Sequence, residues 1–281
     1  MDQNTIQDYL EPRPGQPLPD FRPGDAWLGG GTFLFSTPLP QLKRFVDLTT
    51  LDWPSLIVDG DGLHIAATCT VEQLHAFRPP EDWVAGPLLR QCVEAFLASF
   101  KIWHTQTVGG NICTSLPAGP MITLTCALEA TYEVWAADGE KRRIPAIDFV
   151  TGDHQNILGP GELLRAIFVS RAALARRFAL RRFSLTQAGR SSVFLVGTVD
   201  DQTGEFLLTI SAATVRPVHV RFAALPDGAA LQDALEEQVA DALYFFDPNG
   251  RPDHRKHLTQ VFAEDIRAEL AAEPTPFPAK R

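Results

Sequence analysis

The longest regular run of apolar positions follows Gly86-Pro87. Leu89, Cys92, Val93, Phe96, Leu97 and Phe100 recur at helical spacing and predict one amphipathic helix over residues 86–100. A more evenly apolar run, residues 121–130, predicts a second, more buried helix. Before these, residues 1–23 are polar and carry Pro12, Pro14, Pro17, Pro19 and Pro23, which predicts an extended lead-in. A strand is expected at 25–29, and a short helix and a strand within 34–48. Asp59-Gly60-Asp61-Gly62 is a turn, 63–68 alternates as a strand should, and Thr70 is placed to cap a short helix ending near Phe77. Residues 131–136 and 143–147 read as strands around an Asp138-Gly139 turn. Gly159-Pro160-Gly161 predicts a domain boundary. Strands over 163–170, 178–185, 193–199 and 206–212 then predict an antiparallel meander, and helices over 228–245 and 254–272 follow it. The tail from Pro274 to Arg281 is expected to fray.

Two stretches break this pattern. Ala26-Trp27-Leu28-Gly29-Gly30-Gly31-Thr32-Phe33-Leu34-Phe35 reads as a buried strand entering a tight glycine loop. Residues 103–119, Trp-His-Thr-Gln-Thr-Val-Gly-Gly-Asn-Ile-Cys-Thr-Ser-Leu-Pro-Ala-Gly, turn through a Gly109-Gly110-Asn111 corner and are not expected to continue as a helix. Glycines let main-chain N–H groups approach a ligand closely, and successive amides in a turn form a concavity suited to anions. Two neutral, amide-rich loops suit a ligand with two phosphates, held without a lysine clamp.

Composition narrows the partners and the chemistry. A chain of 281 residues is long enough for two domains, and a hydrophobic content of 45% is that of an ordinary globular protein. The net charge of −9 disfavours nucleic acid. Arg176-Arg177 and Arg181-Arg182 are the basic cluster of note, read as a solvated or partner-facing surface. No secretory signal is expected from the first residues, and no apolar run is long enough to span a membrane, so a cytoplasmic location is expected. Cys69, Cys92, Cys113 and Cys126 are widely spaced, with no C-x-x-C, as befits reduced thiols. Gly29-Gly30-Gly31-Thr32-Phe33-Leu34 does not satisfy G-x-G-x-x-G, and there is no Walker lysine and no H-E-x-x-H. His254 and His257 are read as solvated, Ser191-Ser192 lacks a nucleophile-elbow context, and Cys113 has no adjacent base. The expectation is a cofactor-holding chain with no catalytic side chain and no metal site of its own.

Gly29-Gly30-Gly31-Thr32 is similar to an "AGGTDL" loop, and Thr107-Val108-Gly109-Gly110-Asn111 with Ser115-Leu116-Pro117-Ala118-Gly119 to a "TIGGN…SPAGD" loop. Both loops characterise the FAD-binding medium subunit of the xanthine dehydrogenase / carbon monoxide dehydrogenase family of molybdenum hydroxylases. Residues 210–221 resemble that family's "RIALGAVAPTPVRA" segment, and Asp253-His254-Arg255-Lys256-His257-Leu258 its "YRRHL" helix. The resemblance spans almost the whole chain. It implies an α+β fold: a two-lobed FAD-binding domain of the PCMH type over residues 1–158 (lobes about 1–60 and 61–158), then a C-terminal α+β domain over 159–281 with a small antiparallel sheet and helices. It also implies a cofactor-binding set of Leu28, Gly29, Gly30, Gly31, Thr32, Phe33, Leu34, Thr107, Gly109, Gly110, Asn111, Cys113, Thr114 and Ser115. Leu164 joins them from a strand similar to "EILLSI".

Some positions depart from the family pattern. Pro120 replaces an aspartate, Phe33 an acidic residue and Trp103-His104 an Arg-Asn pair, and a lysine usual near the start of the C-terminal domain is not evident around Ser184-Leu185-Thr186. The resemblance implies a flavoprotein subunit that passes electrons through FAD to an external acceptor. The electrons would come from a [2Fe-2S] small subunit serving a molybdopterin-binding large subunit. The alternatives are a free-standing FAD-dependent oxidoreductase of the same superfamily, or a subunit that kept the fold and lost FAD.

Overall fold

The computed structural model describes residues 3–96, 98–136, 139–187 and 189–272. Leu97, Asp138 and the tail from Pro274, all given roles by the sequence pattern, lie outside the described residues.

The chain opens with three short strands, β1 (Asp8–Leu10), β2 (Asp25–Leu28) and β3 (Arg44–Asp47), paired in parallel in the order β1-β3-β2. A buried ion pair between Arg44 and Asp25 ties β3 to the start of β2. The short helix expected within 34–48 is replaced by irregular turns, because residues 32–36 turn back on themselves through Phe35 N–H to Gly31 O at 2.8 Å and Ser36 N–H to Phe33 O at 3.0 Å.

Next come β4 (Leu56–Val58) and β5 (Gly62–Ala66), then α1 (Val71–Ala76), α2 (Gly86–Glu94), α3 (Phe100–Thr105), α4 (Val108–Thr114) and α5 (Pro120–Ala127). Thr70 caps α1 as expected, in a reciprocal box with Gln73. The single helix expected over 86–100 stops at Glu94. Leu89, Cys92 and Val93 are core residues, but Phe96 is half-buried and Phe100 is 69% exposed on α3. The apolar period runs past the end of the helix because Phe96 lies at the edge of the core, where it also lines a cleft.

After α5 the chain forms β6 (Thr131–Trp135), β7 (Lys141–Pro145), α6 (Ala146–Phe149), the small hairpin β8 (Val150–Gly152) and β9 (Gln155–Asn156), then β10 (Leu163–Ser170) and α7 (Arg171–Ala175). The second sheet has the order β4-β5-β10-β6-β7, every pair antiparallel. This differs from the expected division at residue 158. β10 follows Gly159-Pro160-Gly161 yet is the central strand of that sheet, hydrogen-bonded to β5 and β6. The turn reverses the chain within one sheet. β4 likewise lies before the expected lobe boundary at residue 60 yet pairs with β5.

The last unit holds β11 (Arg177–Phe183), β12 (Val193–Val199), β13 (Phe206–Ser211) and β14 (Val218–Phe222), an antiparallel meander in chain order, with α8 (Gly228–Gln238) and α9 (Pro252–Ala271). The meander forms, but its fourth strand is β14 and not the expected 163–170. α8 ends at Gln238, short of the expected 245, and a 3₁₀ turn over Asp241–Leu243 follows. All seven residues of β12 are buried because the sheet is covered on both faces. Phe194 and Val196 join the helical core of the preceding unit, whereas Val193 and Leu195 pack with Ile266 and Leu270 of α9. α5, buried at every position, is the element between the two units. Its Thr123 hydroxyl meets Ser211 Oγ of β13 at 2.6 Å, and its Thr125 hydroxyl meets Tyr132 of β6 at 2.6 Å.

The arginine cluster is not a free basic surface. Arg176 pairs with Glu129 and Glu205, Arg177 with Asp201, and Arg181 with Glu269. Arg182 donates to Ser191 Oγ at 2.6 Å and to Gly189 O at 2.7 Å. No helix among the described residues is long and apolar enough to cross a membrane.

Candidate functional site

A cleft of about 1070 Å³ lies where the loop after β2, the helical segment 95–120 and the turn before β12 converge. That is at the upper end of ligand pockets, which run from roughly 300 to 1,000 Å³. Both glycine stretches line it. The seam between them is close: a Cβ placed on Gly30 would lie 1.5 Å from the main-chain Thr105 O, and one on Gly29 2.9 Å from the side-chain Thr107 Oγ1. Gly31 has φ +71°, a left-handed conformation that glycine adopts without strain.

The amides of the two loops have different fates. In the first, Gly31 and Phe33 carbonyls accept the turn bonds already described, and the N–H groups of residues 30–34 donate to no protein acceptor among the described residues. Five successive free donors, on residues that line the cleft, form a donor set suited to an anion. The second loop is not the loop its glycines suggest. Residues 108–114 form α4, against the expectation that this stretch breaks from helix. Thr107 caps it, accepting from Gly110 N–H at 3.0 Å. Val108 N–H donates to Cys69 O at 2.8 Å, Gly109 N–H to Ala67 O at 2.9 Å and Asn111 N–H to Thr107 O at 3.0 Å. A Cβ on Gly109 would lie 2.5 Å from Ala67 Cβ, so its glycine serves helix-to-strand packing. Tertiary contact overrides the low helix propensity of adjacent glycines. Thr107→Val is expected to lower stability by about 1 kcal/mol through loss of this cap, read as a lower urea midpoint at unchanged slope.

Of the residues expected at the cofactor, Gly29, Gly30, Gly31, Thr32, Phe33, Leu34, Thr107, Gly110, Asn111, Cys113 and Thr114 line the cleft. Leu28, Gly109, Ser115 and Leu164 stand behind its wall. Leu28 packs with Leu42 and Phe45, Leu164 lies in the main core, and Ser115 is fully buried with its hydroxyl on Ile112 O at 3.1 Å. Asn111 Oδ1 accepts from Met121 N–H at 3.2 Å, fastening α4 to α5. The Cys113 thiol is desolvated, pushing it up to about 12, so it is protonated at neutral pH and no nucleophile.

Several lining residues carried no sequence signal. His154, on the β8–β9 turn, stacks on Phe33 at 5.6 Å between ring centres, and its Nδ1–H donates to Thr114 O at 3.0 Å. It thereby spans from α4 to the first loop. Arg190 reaches the cleft from the turn before β12. Among the departures from the expected pattern, Pro120 lines the cleft as the first residue of α5, where a missing N–H costs nothing. Trp103 and His104 face α1 instead, against His75 and Glu72.

The match to known families agrees with this geometry. Residues 26–171 match the family described as the FAD binding domain in molybdopterin dehydrogenase. The chain belongs to this family. FAD is the cofactor of such a domain. Among curated proteins, the chain is 32% identical over 138 residues to a xanthine dehydrogenase of Oryza sativa subsp. japonica, covering 46% of this chain and 10% of that protein. It is 32% identical over 172 residues to xanthine dehydrogenase 2 of Arabidopsis thaliana, covering 59% of this chain and 12% of the relative. The matched segments are thus about a tenth of those relatives' length. The fold is that of a Cu,Mo-CO dehydrogenase chain in a cyanide-inactivated form, with TM-score 0.73, 22% identity and coverage of 89% of this chain and 91% of that one. A chain of quinoline 2-oxidoreductase from Pseudomonas putida 86 aligns with TM-score 0.74 at 18% identity, over 96% of this chain and 98% of that one.

Proposed function

We propose that this chain is the flavin-carrying component of a molybdenum hydroxylase assembly. It would serve electron transfer between the [2Fe-2S] centres of a small subunit and an external acceptor, while a molybdopterin-binding large subunit oxidises the substrate. The observation that carries the reading is the run of unsatisfied amides at residues 30–34, held in a large cleft against the backbone of Thr105 in a member of an FAD-binding family. The donor set fits a diphosphate: neutral N–H groups, no lining carboxylate among the described residues, and glycines that let the two loops meet where a Cβ would force them apart. Gly29, Gly30, Gly31, Thr32, Phe33 and Leu34 would hold the diphosphate side. Thr107, Gly110, Asn111, Cys113 and Thr114 would form the facing wall, with Leu28, Gly109, Ser115 and Leu164 supporting from behind.

FAD supplies one- and two-electron exchange when bound, and the chain's residues bind, orient and shield it. No side chain of this chain need transfer a proton to substrate, whose pocket would lie in the large subunit. All four cysteines are free, in keeping with the cytoplasmic setting this reading expects. The expected result is a yellow protein, or a colourless one that binds added FAD stoichiometrically, and that co-purifies with molybdenum-containing polypeptides. A preparation indifferent to FAD would overturn the reading. FAD binding without such partners would favour the free-standing oxidoreductase.

A further inference from the structure

Arg190 is the cleft's one residue with a permanent charge: no Asp, Glu or Lys lines it among the described residues. Its guanidinium has no hydrogen-bond or ion-pair partner among the described residues, whereas Arg176, Arg177, Arg181 and Arg182 of the same unit all bond to carboxylates, carbonyls or a hydroxyl of the protein. The turn that carries it is braced on both sides. Arg182, half-buried on β11, donates to Gly189 O at 2.7 Å and to Ser191 Oγ at 2.6 Å, so one side chain holds both neighbours of Arg190. Gly189 N–H closes onto Thr186 O at 2.9 Å and Ser192 N–H onto Phe183 O at 2.8 Å. An exposed arginine on a braced turn, lining a cleft without carboxylates among the described residues, has its electrostatic attraction unspent on them.

The rest of the chain makes that charge count. With a net charge of −9, the protein's long-range field opposes an incoming dianion, and the amides of residues 30–34 offer dipoles without a formal charge. We propose that Arg190 is a binding residue contributed by the C-terminal unit, which engages the diphosphate of FAD in the cleft that the glycine loop also lines. This rests on the reading of the cleft as the FAD site. It differs from a cradle of main-chain amides alone, because a charge-assisted hydrogen bond makes affinity depend on salt and on the C-terminal unit.

The test is titration of the purified full chain, freed of flavin, with FAD and separately with riboflavin, which has the ring system and no phosphate. Wild type, Arg190→Gln and Arg190→Lys are compared at low and high ionic strength. Arg190→Gln is expected to bind FAD about tenfold more weakly at low salt, with the gap closing at high salt, and Arg190→Lys to recover most of the loss. Riboflavin should not distinguish the three proteins, and the melting temperature of the flavin-free chain should not move, since the guanidinium has no protein partner among the described residues. Equal FAD affinity and salt dependence in wild type and Arg190→Gln would overturn the proposal while leaving the cleft's assignment standing. A parallel fall in riboflavin affinity would overturn it too, since the effect would then not run through phosphate. A wild-type chain that binds no FAD would remove the reading of the cleft and this proposal with it.

Discussion

Gly30→Ala is expected to weaken FAD binding roughly 100-fold, on the order of 3 kcal/mol and so at the top of the range for overpacking. The added methyl would sit 1.5 Å from Thr105 O, 2.5 Å from its carbonyl carbon and 3.2 Å from Gln106 Cα, all main-chain atoms. That segment cannot retreat cheaply. Gln106 O accepts from Val71 N–H at 2.9 Å, and Thr107 bridges Thr70, so it is bonded to α1 on its far side. The first loop must therefore withdraw, carrying the amides of residues 30–34 out of register with one another and with the opposite wall. Gly60→Ala is the matched control, because a Cβ there meets nothing within 4 Å. Flavin absorbance or fluorescence titration reads the affinities, and circular dichroism checks that both variants fold. An unimpaired Gly30→Ala would show that the two loops do not meet as described.

Arg255→Ala should destabilise the chain by about 3–5 kcal/mol, the usual consequence of breaking a buried ion pair from one side. Arg255 is fully buried on α9 and sits against the Phe245 ring. It donates to Ser192 O at the start of β12, to Ala212 O after β13 and, at 3.4 Å, to Gly250 O, and it pairs with Asp247. Its removal takes the cationic partner from the Asp247 carboxylate, which keeps only the neutral donors of Asn249, takes a donor from the Ser192 and Ala212 carbonyls, and loosens the turn that presents Arg190. At roughly 2–4 °C per kcal/mol for a chain of this size, the melting temperature should fall by roughly 10 °C. The double variant Arg255→Met with Asp247→Asn should recover more than half of that loss, because neither charge is then buried alone. Equal losses in the single and double variants would assign the effect to lost packing instead of lost charge pairing.

Arg255 also stands in a family-like segment without lining the cleft. That segment, Asp253–Leu258, resembles the family's "YRRHL" helix, yet its arginine fastens the last helix to the sheet. The glycines divide the same way. Gly30 and Gly109 look alike in sequence, but one meets a carbonyl across the cleft seam and the other packs on Ala67 beneath it.

Local chemistry alone determined a good part of this protein. The capped helix after Thr70, the buried run that becomes α5, three of the four meander strands and the two glycine stretches that meet at one cleft could all be read from periodicity, caps and glycine placement. These signals act over one or two turns of chain. Tertiary structure decided the rest. Whether β10 belongs to the first unit or the last depends on which strands lie beside it. Whether the amides of a glycine stretch are free depends on distant acceptors such as Cys69 and Ala67, which consume those of α4 and leave those of residues 30–34. Arg190 and His154 were invisible for the same reason: a charge or a ring becomes part of a site only when the fold carries it to a surface already lined by others.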